Sequence, residues 1–259
     1  MIRLATPISH LFENKKYEKK ILRSSDVLEC RDRSLNYNNY IEKQELFHCD
    51  LQPIHEWGNV EWKFLEQIKN TKSNLKLLTF HLASCCDKPI VYGRMFSLGG
   101  REYTCAEMKH FAKNNFFQIK SMFGSKVDIA VENTNFYPTD AYKNVTEAKF
   151  ISDIVYENNI KFLFDIAHAK ITCFNKKINF GKYKKDLPLD KIIQVHICNY
   201  SIDIDLNQAY DAHNLPNNEE LLEVSKIISK YKSVKYLTVE YYRDIENLII
   251  SLENIRKLL

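Results

Sequence analysis

Lys-Phe-Leu-Phe-Asp-Ile-Ala-His, at 161–168, is the stretch on which the reading of the fold turns. It is almost continuously apolar, as a strand buried on both faces of a parallel sheet must be. Two side chains of metal-ligand type, Asp165 and His168, stand at its end. Runs of the same character recur outward in both directions, at 3–7, 27–31, 45–50, 75–83, 127–133, 160–168, 191–199 and 234–242. Between them, 60–71, 105–123, 146–158, 219–231 and 245–258 carry apolar residues at three- and four-residue spacing, the period of an amphipathic helix. Thr104-x-x-Glu107 precedes the second of these and reads as a capping box. The connections 12–25 and 34–44 are less regular.

Eight strand–helix units in this length match a single (β/α)8 TIM barrel of the α/β class spanning residues 1–259. A doubly wound sheet would place a glycine-rich turn after its first strand. Here that position reads Thr-Pro-Ile-Ser-His-Leu-Phe at 6–12, without glycine.

Composition narrows the class of function. The chain has 259 residues, 45% apolar and 27% charged, enough apolar surface to offset chain entropy. Lys and Arg total 37 against 33 Asp and Glu, and the net charge of +4 is too mild to mark a nucleic-acid binder. No run approaches the ~18 apolar residues of a membrane span, and residues 1–13 lack the pattern of a secretory signal. The seven cysteines include no Cys-x-x-Cys pair, so neither a disulfide framework nor a thiolate zinc site is expected, and a reducing cytoplasmic setting is.

The eight histidines are placed unevenly. His48 ends the third run, His81 lies near the end of the fourth, and Glu132 ends the fifth. Asp165 and His168 end the sixth, His196 the seventh and Glu240 the eighth, while Asp211 and His213 fall in the loop that follows the seventh. In a barrel these strand ends converge on one mouth, where active sites of this fold are built. Any one of these residues alone reads more simply as a satisfied core histidine or a capping carboxylate. Independent structural residues have no reason to choose the same end of six successive strands. Four carboxylates at one mouth also repel: at ~4 Å and an effective dielectric of about 20, each pair costs on the order of 4 kcal/mol. A cation is the natural compensation.

Counting donors extends this. Nine candidates overfill one octahedral or tetrahedral ion. Four carboxylates formally neutralise two divalent cations, so a cluster of two or three ions is expected. Nitrogen and oxygen donors without thiolate suit iron, manganese or zinc.

The local wording resembles the multinuclear non-heme iron-dependent oxidative enzymes, the barrel family that includes the methanobactin-biosynthesis oxidase. The resemblance runs from about Glu45 to Glu240. It rests on Val-Glu-Asn at 131–133, Phe-Asp-Ile-Ala-His at 164–168, Leu-Pro-Leu-Asp-Lys-Ile-Ile-Gln-Val-His at 187–196, and Asp-Ala-His-Asn-Leu-Pro at 211–216. It implies a xylose-isomerase-like barrel with two or three iron ions. The implied enzyme uses O2 to remodel a cysteine, or another side chain, of a ribosomally made precursor peptide delivered by a separate partner protein. His48, His81, Glu132, Asp165, His168, His196, Asp211, His213 and Glu240 then look like iron ligands, with Asn133 and Asn199 beside the ions or the substrate. The sequence departs from the family at His-Cys-Asp-Leu-Gln-Pro-Ile-His, 48–55, where His55 is an alternative to His48, and at Cys198 and Tyr200 after His196.

Two other enzyme classes share the barrel. An endonuclease-IV-like phosphodiesterase carries a similar series around three zinc ions and cuts abasic DNA; Lys176, Lys177, Lys182, Lys184 and Lys185 would then contact phosphates. Equally, those lysines read as a solvated loop or as a seat for an acidic leader peptide. The glycine-rich continuation of that nuclease family is missing after Asp211-Ala-His213. A sugar isomerase or epimerase would need fewer ligands, and a non-enzymatic scaffold would not need so complete a set. Tyr137, Tyr241 and Tyr242 are candidates to wall the mouth or to pack the core, Cys49, Cys85, Cys86 and Cys198 read as small apolar filling, and Gly99-Gly100 marks a hinge or a turn.

Overall fold

Successive side chains of a strand point to opposite faces of its sheet, and the barrel strands of this chain use that alternation to keep two kinds of residue apart. The computed structural model describes all residues, Met1–Leu259. Eight parallel strands close on themselves: β1 (Arg3–Pro7), β2 (Val27–Arg31), β3 (Gln44–Cys49), β4 (Leu77–His81), β5 (Asp128–Glu132), β6 (Lys161–Asp165), β7 (Ile192–Ile197) and β8 (Tyr236–Val239). Each pairs with its neighbour in order, and β8 returns to β1. Leu28 and Cys30, Phe47 and Cys49, Leu78 and Phe80, Ile129 and Val131, and Phe162 and Phe164 join one large apolar core, outside the strands and under the helices. Burying one such phenylalanine contributes about 1.5–3 kcal/mol.

The opposite parity fills the barrel. Ala5, Val27, Leu46, Leu77, Ala130, Ile193 and Tyr236 form a separate small apolar cluster at its floor. Two residues further along, polar groups begin: Glu29 after Val27, His48 after Leu46, Thr79 after Leu77, Glu132 after Ala130 and Thr238 after Tyr236. Parallel register then sets site residues side by side, His81 opposite Glu132, Asp165 opposite His196, and Arg31 opposite His48.

The helices are α1 (Lys15–Ser24), α2 (Asn59–Thr71), α3 (Cys105–Phe123), α4 (Ala148–Glu157), α5 (Ile166–Lys176), α6 (Phe180–Asp186), α7 (Asn218–Lys230) and α8 (Ile245–Arg256). The capping box before α3 is present: Glu107 N donates to Thr104 Oγ1 at 3.2 Å and Thr104 N donates to Glu107 Oε2 at 2.8 Å. No helix stands between β2 and β3, where two short 3-10 turns, Asp32–Ser34 and Ile41–Lys43, make the connection. No helix is long and apolar enough to cross a membrane.

Two expectations are corrected. The sixth strand stops at Asp165, and 166–168 is the first turn of α5, because the Asp165 carboxylate accepts from His168 N (2.6 Å) and caps a helix there. His168 is therefore a helical residue. Asp211 and His213 are not in an open loop but on the second strand of an antiparallel hairpin, Asn199–Asp203 with Gln208–Asn214. A second hairpin, Ile90–Tyr92 with Met95–Ser97, follows β4. Gly99-Gly100 is a tight turn: Gly100 has φ +67, and a Cβ there would meet Asp87 Oδ1 at 2.1 Å.

Candidate metal centre

Six strand ends, the first turn of α5 and one hairpin bring the nine side chains to a single place. Glu132, from β5, is the hub. Its Oε2 lies 3.1 Å from His81 Nδ1 and 3.4 Å from His48 Nε2, while its Oε1 lies 3.2 Å from His196 Nδ1 and 3.7 Å from His168 Nδ1. His168 Nε2 reaches Asp211 Oδ2 at 3.5 Å, and His213 Nε2 joins Asp211 Oδ2 (3.3 Å) to Glu240 Oε2 (3.8 Å). Glu240 returns to His196 Nδ1 at 3.4 Å, and Asp165 Oδ2 stands 3.9 Å from both His196 and His168. Every one of the nine is thus within 4 Å of another.

His48 Nε2, both carboxylate oxygens of Glu132, Asp165 Oδ2 and His196 Nδ1 are buried and have no hydrogen-bond partner. Leaving one such polar atom unsatisfied costs about 1–3 kcal/mol, more when it is charged, so five orphans facing one space ask for a cation. The donors also fall into trios within 4.8 Å: His48, His81 and Glu132; Glu132, Asp165 and His168; Asp165, Cys198 and Glu240; Glu29, His196 and Glu240. These trios share Glu132, Asp165 and Glu240, an arrangement suited to carboxylates that bridge neighbouring ions. The nitrogen and oxygen donors fit iron, manganese or zinc.

The charges explain one another. Burial pushes the Asp165 carboxyl up to about 7, and the neighbouring Glu132 and Glu240 add to the push. Burial, with Arg31 and His81 beside it, holds His48 down at about 4. His81 goes the other way: burial opposes its charge, yet Asp50 and Glu132 lift it to about 9. Against the same burial penalty, carboxylates raise His168 and His196 well above the ordinary imidazole range. Protons on these rings occupy the role that a cation would take.

Asn133 lies beside Asp165 and His168. Its amide bridges Asp165 O and Asp165 N, each at 2.9 Å, and its carbonyl holds His168 Nδ1 at 3.0 Å. Asn199 starts the hairpin opposite Asn214 and makes no side-chain hydrogen bond to the nine. His55 is elsewhere, bonded to Ser84 O at 2.9 Å and stacked on Tyr103, so it does not replace His48. Tyr242 donates to Glu240 Oε1 (3.3 Å) and Tyr137 accepts from Asp211 N (3.4 Å), whereas Tyr241 turns to Asp244. Cys198 is buried at the wall, 3.9 Å from Asp211 Oδ1. Lys176 and Lys184 are ion-paired with Glu147 and Glu223, while Lys177, Lys182 and Lys185 are exposed and in no ion pair.

Three residues of the site were not singled out in the sequence. Glu29 lies 2.9 Å from His196 Nε2, Arg31 pairs with both Glu29 and Glu240, and Asp50 stands 3.6 Å from His81 Nε2. Glu29 and Arg31 interrupt the apolar run 27–31 at alternate positions, a pattern that an outward-facing polar edge would also give. A cleft of about 840 Å³ opens beside the cluster, lined among others by Ile8, Phe12, Arg31, Asp50, His213 and Tyr242.

A family model described as "RiPP precursor modification enzyme MbnB/TglH/ChrH" matches residues 56–258. Eight of the nine residues lie within that span, and His48 precedes it. Comparison with curated proteins gives no match. Among solved structures, the chain is similar to apo 3-keto-D-glucoside 4-epimerase YcjR from E. coli, with TM-score 0.65, 15% identity, and 99% of this chain and 100% of that chain covered. D-allulose 3-epimerase from Methylomonas sp. matches at TM-score 0.61, 11% identity, 100% and 98% covered. A Rhodospirillum rubrum protein provisionally described as a xylose isomerase matches at TM-score 0.60, 9% identity, 99% of each chain. At these identities the likeness is one of fold, the xylose-isomerase-like TIM barrel.

Proposed function

Because this chain belongs to the family of RiPP precursor modification enzymes MbnB/TglH/ChrH, we propose that it is a multinuclear non-heme iron-dependent oxidative enzyme. It uses O2 to modify a cysteine, or another side chain, of a ribosomally made precursor peptide. His48, His81, Glu132, Asp165, His168, His196, Asp211, His213 and Glu240 hold two or three iron ions. A separate protein delivers the peptide, and the reaction takes place in the cytoplasm.

The observation that carries this reading is the set of five buried, unpartnered donor atoms on His48, Glu132, Asp165 and His196. Bound iron supplies activation of O2 and transfer of electrons from the peptide side chain. The protein's part is to orient and to exclude water. Thr79 Oγ1 holds His48 Nδ1 at 2.6 Å and so directs Nε2 into the cluster. The Asn133 carbonyl holds His168 Nδ1 and directs Nε2 toward Asp211. The cleft beside His213 and Tyr242 offers a peptide segment a way to the cluster.

Anaerobic purification with iron supplied, followed by metal analysis, tests the cofactor. The expected result is two or more iron per chain. Incubation with its precursor peptide and O2 then gives a mass change on the peptide that Glu132→Gln does not give. Colourless protein holding three zinc ions and cleaving abasic DNA would replace this reading with the nuclease.

A further inference from the structure

We propose that Glu29, on β2, is a positioning residue for the metal centre: it fixes which nitrogen of His196 faces the ions. The proposal rests on the metal reading above and deepens it.

Glu29 is completely buried, and its two oxygens have separate tasks. Oε1 pairs with Arg31 Nη2 at 2.6 Å. Oε2 takes His196 Nε2 at 2.9 Å, Gln194 Nε2 at 2.5 Å and Thr238 Oγ1 at 3.2 Å. A carboxylate placed only to neutralise Arg31 would have no need of those three contacts. β2 and β7 are not neighbours in the closed order, so Glu29 reaches across the barrel interior to meet His196.

The consequence follows from the imidazole itself. A neutral ring carries one N–H and one lone pair. The ionised Glu29 carboxylate only accepts, so facing it with Nε2 keeps the proton on Nε2 and leaves the lone pair on Nδ1. Nδ1 is the atom that has no hydrogen-bond partner and looks onto Glu132 Oε1 and Glu240 Oε2, 3.2 and 3.4 Å away. A carboxylate behind a ligating imidazole also increases its basicity, and such partners change metal affinity by about 10- to 100-fold. Arg31 extends the brace, because the same Nη2 that holds Glu29 also pairs with Glu240. One buried chain of contacts thus orients two nominated ligands from behind.

The test titrates metal-stripped protein with Co2+ against a competing chelator, recording the visible spectrum and circular dichroism. Wild type, Glu29→Gln, Thr238→Val and Glu220→Gln are compared; Glu220 is a buried carboxylate paired with Lys170 on the outer helices, and serves as a control for losing one. Folded Glu29→Gln is expected to bind one equivalent of Co2+ about 10- to 100-fold more weakly, with a shifted visible band. Thr238→Val shifts the same way by less, and Glu220→Gln matches wild type. Wild-type affinity and spectrum in folded Glu29→Gln overturn the positioning role while leaving the metal centre standing. If Glu29→Gln does not fold, unchanged binding by Thr238→Val overturns it instead. A wild-type chain that binds no Co2+ removes the metal reading, and this proposal with it.

Discussion

Glu132 Oε1 and His196 Nδ1 face each other at 3.2 Å, both fully buried, and neither is in a hydrogen bond. The two residues come from β5 and β7, separated by β6, so barrel closure and not local sequence sets the distance. Each atom has spare capacity for the same missing partner.

Removing ligands should empty the centre without unfolding the chain. Asp165→Ala and Glu240→Ala are expected to lose bound metal while keeping the circular dichroism of the wild type, because the apolar layer outside the strands and the apolar floor are untouched. Full metal content in both variants would count against the assignment.

Metal-free protein should carry a pH signature of Asp165. Its folded carboxyl titrates at about 7 against an ordinary 3.8. Between those values the folded state keeps a proton that the unfolded chain has released, so stability falls as pH rises, by up to about 1.4 kcal/mol per pH unit. Asp165→Asn removes that slope. Urea melts of both chains in chelator, from pH 5 to 8, should diverge as pH increases, with the variant the more stable at the upper end; parallel curves would contradict the prediction.

Loading with metal should release protons. In the metal-free cluster His81 holds its proton up to about 9, lifted by Asp50 and Glu132 against burial, and carboxylates also raise His168 and His196 well above the ordinary imidazole range. A cation must displace them. Affinity therefore climbs with pH through the neutral range, and calorimetry at pH 7 in buffers of different ionisation enthalpy is expected to show more than one proton released per chain. Net release of none would oppose the account.

Core and site should separate cleanly in one variant. Phe116, on α3, packs at 6.3 Å between ring centroids against Phe80 of β4 and is 1% exposed. Phe116→Ala is expected to cost about 3–5 kcal/mol in urea unfolding while the folded fraction binds metal as the wild type does.

Most of the barrel was legible because its strands are short apolar runs spaced by amphipathic helices. What escaped lies where two periods overlap. After Asp165 the chain continues Ile-Ala-His-Ala-Lys-Ile-Thr, as compatible with a strand as with a helix, and the hydrogen bond that His168 N donates to the Asp165 carboxylate decides for the helix. The ligand-type residues were legible because they cluster at strand ends. Glu29 and Arg31 were not, since a charged residue at every second position looks the same whether it faces solvent or a barrel interior. Only closure of the sheet distinguishes the two.

The most direct measurement is anomalous diffraction at the iron edge from crystals loaded with iron under anaerobic conditions. The account predicts two or three peaks, each within coordination distance of donors among His48, His81, Glu132, Asp165, His168, His196, Asp211, His213 and Glu240. Iron located elsewhere, or no peak among these side chains, would contradict it.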